Sequence, residues 1–284
     1  RMRDDIREAK EVVQKAADSG LKLQVGVQGM ADDSYSSALD AIRAGKIGKV
    51  VSAAIDYVRN HPIDRGPWRK SNVGDDTAMP DGLDWTRWLY PREERPWDPH
   101  HYFKWRCYRA YSGGIATDLF IHRITRIIRA CGLTFPTRVA GMGGIYTWDD
   151  GRDLPDSMEM LLEYPAVDGV TDGMTVRLLG TMANKRQSPH CIRGYTGTLN
   201  FTSSGWDIIS EDGGKTIEQH VKTGGEDLKP HHMNHHAAIR TGEDLFCPPE
   251  LGLYGVVAAR MGNLSWFQQK MVAWDAAGQY VVAS

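Results

Sequence analysis

Asp118 and His122 stand four residues apart, which is the spacing that brings two side chains onto one face of a helix. A carboxylate beside an imidazole can orient the ring and hold one tautomer, so such a pair can move a proton near neutral pH. Gly113 and Gly114 precede the pair and would let backbone approach a ligand closely or simply form a turn that starts the helix. The alternative interpretation of the pair is a solvated helix face with an ordinary ion pair.

The helix that would carry this pair has two faces in the sequence. At about 100° per residue, isoleucines gather on one side and polar residues on the opposite side. The apolar side holds Ile121, Ile124, Ile127 and Ile128, and the polar side holds Asp118, His122, Thr125 and Arg129.

A second group of candidate binding residues lies upstream, where cations alternate with aromatic rings. His101, Tyr102, Lys104 and Arg106 fall within seven residues of one another. Rings can stack on the apolar face of a sugar while charged groups reach its hydroxyls, so this segment suits carbohydrate binding. A packed loop with solvated Lys104 and Arg106 is the alternative. We expect the nearby Trp85, Trp88 and Trp97 to be packing anchors.

A histidine cluster over 231–236 has the i, i+4 spacing of helical zinc ligands. A catalytic zinc would need a third ligand, and the sequence offers no HExxH glutamate. We therefore expect surface or capping histidines and no metal site, with His232 or His235 available to line a substrate pocket.

Composition excludes several classes of function. The 284 residues are 41% hydrophobic and 25% charged, as in globular proteins, and the net charge of −2 gives no support for a nucleic-acid partner. No apolar run reaches the roughly 18 residues of a membrane-spanning helix. The four cysteines form no CxxC pair, and no GxSxG nucleophile elbow is present.

The pattern of apolar residues predicts the elements around the central helix. An amphipathic helix over 4–17 is followed by an apolar strand over 21–27. The segment 59–111 is rich in Pro and Trp with little periodicity, so we expect a long ordered insertion. Later strands are separated by Asp- and Gly-containing turns, as in an antiparallel meander. The other predicted elements are helices over 33–44, 232–240 and 249–268 and strands over 50–58, 137–146, 157–164, 174–181, 191–201, 206–209 and 271–274.

Several stretches, in order and over nearly the whole chain, resemble one protein family. The segment 23–50 is similar to a junction between two domains, and the Gly113-Gly114…Asp118…His122 stretch is similar to an active-site helix. The segments 234–242 and 262–275 match closing helices, and the tryptophan-rich 83–106 is similar to the insertion of a bacterial subgroup. Together they resemble the Gfo/Idh/MocA oxidoreductases, named for glucose–fructose oxidoreductase, inositol dehydrogenase and a rhizopine-catabolism protein.

The resemblance implies an α/β protein with an α+β substrate domain. That domain has a mostly antiparallel open sheet with helices on one face, preceded by the last helix-strand unit of a Rossmann-type domain. Residues 1–29 would be the remnant of the dinucleotide-binding domain, and residues 30–284 the substrate-binding and oligomerisation domain with insertion 59–111. No glycine-rich turn follows a strand here, so we expect the rest of the nucleotide domain upstream of Arg1. Within this chain, Gln28 is the residue that we expect to contact the cofactor.

The resemblance also implies a function. It predicts an oxidoreductase that uses NAD or NADP on a sugar, polyol or sugar derivative, with His122 as acid/base and Asp118 as its orienting partner. The alternatives are an NAD-dependent glycosidase or lyase that oxidises its substrate transiently, or a non-catalytic sugar-binding fragment. We expect a homo-oligomer, a dimer or a tetramer, with no nucleic-acid or membrane partner. The cytoplasm is the default compartment, although relatives include exported, periplasmic enzymes.

Overall fold

The computed structural model describes residues 6–68, 73–275, 277 and 280–283, and within them eleven strands form one sheet. The strand order is β11-β10-β2-β3-β4-β1-β6-β7-β8-β9, and β5 pairs with β1. Only the β1–β4 pair among these is parallel, so the predicted mostly antiparallel open sheet is confirmed. The strands are β1 Val50–Asn60, β2 Arg138–Gly144, β3 Ser157–Tyr164, β4 Met174–Thr181, β5 Ala183–Asn184, β6 Cys191–Gly194, β7 Gly197–Thr202, β8 Gly205–Ser210, β9 Thr216–Val221, β10 Val272–Asp275 and β11 Tyr280–Ala283.

Helices cover one face of this sheet. Along β3, Leu162 is fully buried while its neighbour Leu161 is 52% exposed, which is the alternation of a strand with one covered face. The longest helix, α7, packs on β2, and α5 packs between α2 and α7. The helices are α1 Ile6–Ser19, α2 Ser34–Arg43, α3 Trp85–Leu89, α4 Pro99–Phe103, α5 Ile121–Cys131, α6 Leu228–Thr241 and α7 Pro249–Gln268. In the described part of the chain, no helix has the length and apolar character needed to cross a bilayer.

The predicted strand over 21–27 is not formed. This segment is extended, and the amide of Val25 donates to the carbonyl of Cys247 over 2.9 Å, but no ladder to a neighbouring strand exists among the described residues. A parallel edge strand needs a partner strand for its backbone groups. Here Cys247, in the connection between α6 and α7, and histidine side chains of α6 bond to that backbone. The preceding α1 follows the prediction as far as it is described, since residues 1–5 lie outside the described range.

The insertion over 59–111 has a small hydrophobic core of its own, as expected. Trp85, Leu89 and Tyr111 are buried together. Trp85 stacks on Trp88 at 4.8 Å and meets Trp97 edge-on at 5.1 Å between ring centroids. Rings of this size give a long connection enough buried apolar area to hold one conformation. The tryptophans are therefore the predicted packing anchors.

Candidate active site

Asp118 and His122 do not lie on one regular helix. Asp118 is in a π-helical turn, Ala116–Phe120, and His122 is in the first turn of α5, which starts at Ile121. A π turn bonds each amide to the carbonyl five residues back, so the α-helical i, i+4 alignment does not carry through it. Asp118 is 5% exposed, whereas His122 is half-buried. The expectation of one regular α-helix with Asp118 and His122 on its polar face is therefore wrong at this junction. π turns of this kind are common at functional sites.

The glycines ahead of this turn are required by packing. Asn263, a fully buried residue of α7, donates from Nδ2 to the Gly113 carbonyl over 2.9 Å. A Cβ atom at Gly113 would lie 2.6 Å from that nitrogen and 2.4 Å from Thr117 Oγ1. Gly114 has φ +57°, where L side chains are strained. Of the two interpretations offered by the sequence, the helix-start turn is the one these contacts favour.

Arg106 brings a positive charge from the insertion to Asp118. Its Nε donates to Asp118 Oδ1 over 3.4 Å, and its guanidinium lies 4.2 Å above the Trp105 ring. Partial burial lowers the pKa of Arg106 from its ordinary value. The carboxylate is thus held by a cation that is one-third exposed and still able to donate to a bound molecule.

The other residues predicted for substrate binding in the insertion make contacts within it. His101 Nδ1 lies 2.9 Å from the Tyr111 hydroxyl, and its ring stacks on Tyr108 at 4.0 Å. Burial lowers the pKa of His101, so its imidazole is neutral near pH 7. Lys104 Nζ is 2.6 Å from the Nδ1 of His100. The Tyr102 ring packs into the tryptophan cluster. Arg106 links the insertion to the central turn through Asp118.

The histidines of α6 fasten that helix to the extended segment 21–27. His231 Nε2 is 3.1 Å from the carbonyl of Val25, and His235 Nε2 is 3.0 Å from that of Lys22, while His232 is exposed. Across the described residues, no three His, Cys, Asp or Glu side chains are grouped so that they could hold a metal ion. Their contacts are those of capping and tethering side chains.

A nicotinamide dinucleotide does not fit the described residues as a complete ligand. Its pyrophosphate needs a glycine-rich turn between a strand and a helix. The glycine-rich stretch 141–144 lies inside β2, and a Cβ at Gly141 would fall 2.4 Å from the carbonyl oxygen of Gly262 on α7. These glycines permit close packing of strand and helix. Gln28 begins a 3₁₀ turn, Gln28–Ala31, and makes no phosphate cradle.

Sequence reasoning missed the polar residues that α5 turns toward the sheet. Arg123 and Arg126 line a cavity of about 350 Å³ beside β1, although neither was singled out. Arg126 is 3% exposed, and Thr125, which the sequence assigned to the polar face, is fully buried. The sequence did contain a signal for this cavity, because two arginines stand three residues apart in an isoleucine-rich helix. A buried arginine usually has a charged partner or a ligand.

No protein-family model and no curated protein sequence matches the chain. Solved structures do match it in fold. A protein described as an NADPH-dependent oxidoreductase from Desulfitobacterium hafniense superposes with a TM-score of 0.65 at 16% identity, over 95% of this chain and 69% of that one. Aldose-aldose oxidoreductase from Caulobacter crescentus gives 0.64 at 15% identity, over 96% and 70%. A protein described as an oxidoreductase from Thermotoga maritima gives 0.65 at 14% identity, over 95% and 68%. The chain therefore has the fold found in these oxidoreductases.

Proposed function

We propose that this chain is the substrate-binding part of an NAD(P)-dependent oxidoreductase acting on a sugar, polyol or sugar derivative. The observation that carries the proposal is the buried Asp118 carboxylate, which a π turn places just before His122 and which Arg106 meets from the insertion. A charge is retained at a buried position at considerable cost, so an unusual backbone turn around one points to chemistry. The fold shared with known oxidoreductases and the resemblance to the Gfo/Idh/MocA family support the same proposal.

The proposed roles follow from protonation chemistry and position. Oxidation of a carbinol releases the hydroxyl proton, and His122 would take it because an imidazole titrates near neutral pH. Asp118 would orient the ring or a substrate hydroxyl, and Arg106 would donate to substrate oxygens. The hydride of such a reaction goes to a nicotinamide, for which the described residues form no pyrophosphate site. We propose that residues 1–29 belong to a dinucleotide-binding domain that would supply it, and that residues 30–284 supply the substrate side.

The deciding experiment combines cofactor binding with turnover. The product of the complete reading frame would be titrated with NADH and NADPH by nicotinamide fluorescence and assayed on a panel of aldoses and polyols. We expect one cofactor to bind and His122→Ala to lower kcat by at least about 100-fold with an unchanged melting temperature. His236→Ala, at an exposed position on α6, is the matched control.

Two outcomes would overturn the proposal: no binding of either nicotinamide, or a His122→Ala variant as active as the parent. Turnover of a glycoside without net reduction of free NAD would instead identify the transient-oxidation alternative.

A further inference from the structure

The cavity beside Arg123 and Arg126 does not include Asp118 and is lined by several parts of the fold. Helix α5 supplies the two arginines, β1 supplies Asp56, and the start of α2 supplies Ser34. His190 lies ahead of β6 and stacks on Phe201 at 4.3 Å, which forms an aromatic wall. A volume of about 350 Å³ is in the lower range of small-molecule sites and suits a monosaccharide-sized ligand.

Unsatisfied polar atoms concentrate in this cavity. Among the described residues, five of its lining side chains have a buried nitrogen or oxygen without a hydrogen-bond partner, and three of these side chains belong to residues that are more than nine-tenths buried. A buried polar atom without a hydrogen-bond partner destabilises the fold. A ligand that supplied the missing partners would remove this destabilisation. The five atoms are Ser34 Oγ, Asp56 Oδ1, Arg123 Nε, Arg126 Nε and His190 Nε2.

The charged side chains that line the cavity balance, with three cations and three carboxylates. Arg126 Nη2 lies 2.6 Å and Arg123 Nη1 3.4 Å from the same oxygen of Glu226, so one carboxylate serves two guanidinium groups. Lys222 is paired with Asp32 at 3.4 Å. The remaining carboxylate, Asp56, has Arg177 at 3.8 Å outside the cavity lining. The two guanidinium groups that share Glu226 each keep an unpartnered Nε–H donor, and such donors suit an anionic group on a ligand.

The unsatisfied groups also require more than an anion. Asp56 Oδ1 is a carboxylate oxygen and can only accept, so it needs a hydroxyl or amine donor from the ligand. Ser34 can donate or accept. Burial, reinforced by Arg126 and Arg123, lowers the pKa of His190 well below its usual value, so its neutral ring has one donor and one acceptor nitrogen. The ligand must therefore combine one anionic group with several hydroxyls.

We propose that this cavity binds a sugar carboxylate, an aldonate or a uronate, with its carboxylate on the Nε–H groups of Arg123 and Arg126 and its hydroxyls on Asp56 and Ser34. The site depends on neither His122 nor a nicotinamide. Arg126 follows His122 by four residues within α5, so the two side chains share a helix face. If the proposed function also holds, this site identifies sugar acids as the substrate class of the enzyme.

Isothermal titration calorimetry of the full chain tests this proposal directly. We expect D-gluconate or D-glucuronate to bind at least tenfold more tightly than D-glucose, acetate or inorganic phosphate. Arg123→Gln and Asp56→Asn should each weaken sugar-acid binding at least tenfold. The control Arg193→Gln removes a cation from an exposed position on β6 and should leave the affinity unchanged.

The outcomes separate the proposal from its rivals. Equal binding of phosphate or acetate would show a simple anion site, and equal binding of glucose would show a neutral-sugar site. Either result, or no binding by any sugar acid, overturns the proposal. Arg126 also holds Tyr35, so Arg123→Gln is the deciding variant if Arg126→Gln fails to fold. Sugar-acid binding that persists in His122→Ala would support this site even if the dehydrogenase proposal failed.

Discussion

Arg106 Nε lies 3.4 Å from Asp118 Oδ1, so the insertion over 59–111 supplies the cation for a carboxylate that is almost fully buried on the central turn. The insertion is thereby tied to the candidate active site by charge as well as by packing.

Replacing Arg106 should therefore reduce both activity and stability. Arg106→Gln removes the cation beside a buried carboxylate, and we expect a loss of about 1 kcal/mol in the free energy of unfolding, small because Arg106 is one-third exposed. We expect the KM of the preferred sugar to rise more than kcat falls. Arg109→Gln, three residues along and stacked on Phe267, is the control for denaturant melts and kinetics. An Arg106→Gln protein with unchanged KM would argue against a contact between Arg106 and substrate.

Gly29 should tolerate no side chain, because Arg126 occupies that space. A Cβ atom at residue 29 would lie 2.3 Å from Arg126 Nη2, and this guanidinium is held by Tyr35 and Glu226. Gly29→Ala should displace Arg126, lower the melting temperature and weaken sugar-acid binding. Gly26→Ala is the matched control, since nothing lies within 4 Å of its added Cβ. Equal melting curves for the two variants would contradict the contact.

His190 should make stability depend on pH below about 6.5. Burial lowers the pKa of His190 in the folded protein, so in mildly acidic solution the unfolded chain binds a proton that the folded chain does not. The contribution of His190 to the free energy of unfolding is complete above the pKa that histidine has in the unfolded chain. It decreases as the pH falls below that pKa, by no more than about 1.4 kcal/mol per pH unit. His190→Phe keeps an aromatic ring beside Phe201. It should reduce the change in the urea-denaturation midpoint between pH 7 and pH 5. The same slope in both proteins would assign the pH dependence to other groups.

The uncovered face of the sheet should join copies of this chain, as the family resemblance led us to expect. Leu161 and Met142 are 52% and 77% exposed on this face, and such apolar exposure on a sheet is a common feature of interfaces. Leu161→Glu should lower the molar mass measured by light scattering after gel filtration. Leu21→Glu, at a residue 75% exposed in the extended segment, should not. A parent protein that is already monomeric would refute this prediction.

The sequence predicted the bounds of helices and strands well where a pattern of buried residues is flanked by clear turn or start signals. Strands β3 and β4 and helix α7 have the predicted bounds, because alternating burial and flanking turns define the strands and Pro249 opens the helix. Strand β9 was missed because none of its residues is buried and only its ladder to β8 defines it. The lining of the sugar-acid cavity was missed because α5 is buried on nearly all sides. A helical wheel cannot tell a polar residue facing solvent from one facing an internal cavity.

The π turn at Ala116–Phe120 has a consequence for anyone aligning or redesigning this chain. It holds one more residue per turn than an α-helix would. Deleting a single residue there would allow a regular helix and would change which of residues 116–120 faces the candidate site. The number of residues between Gly113 and Ile121 therefore matters as much as their identity. A gap placed in this stretch by an alignment would separate Asp118 from its true counterpart.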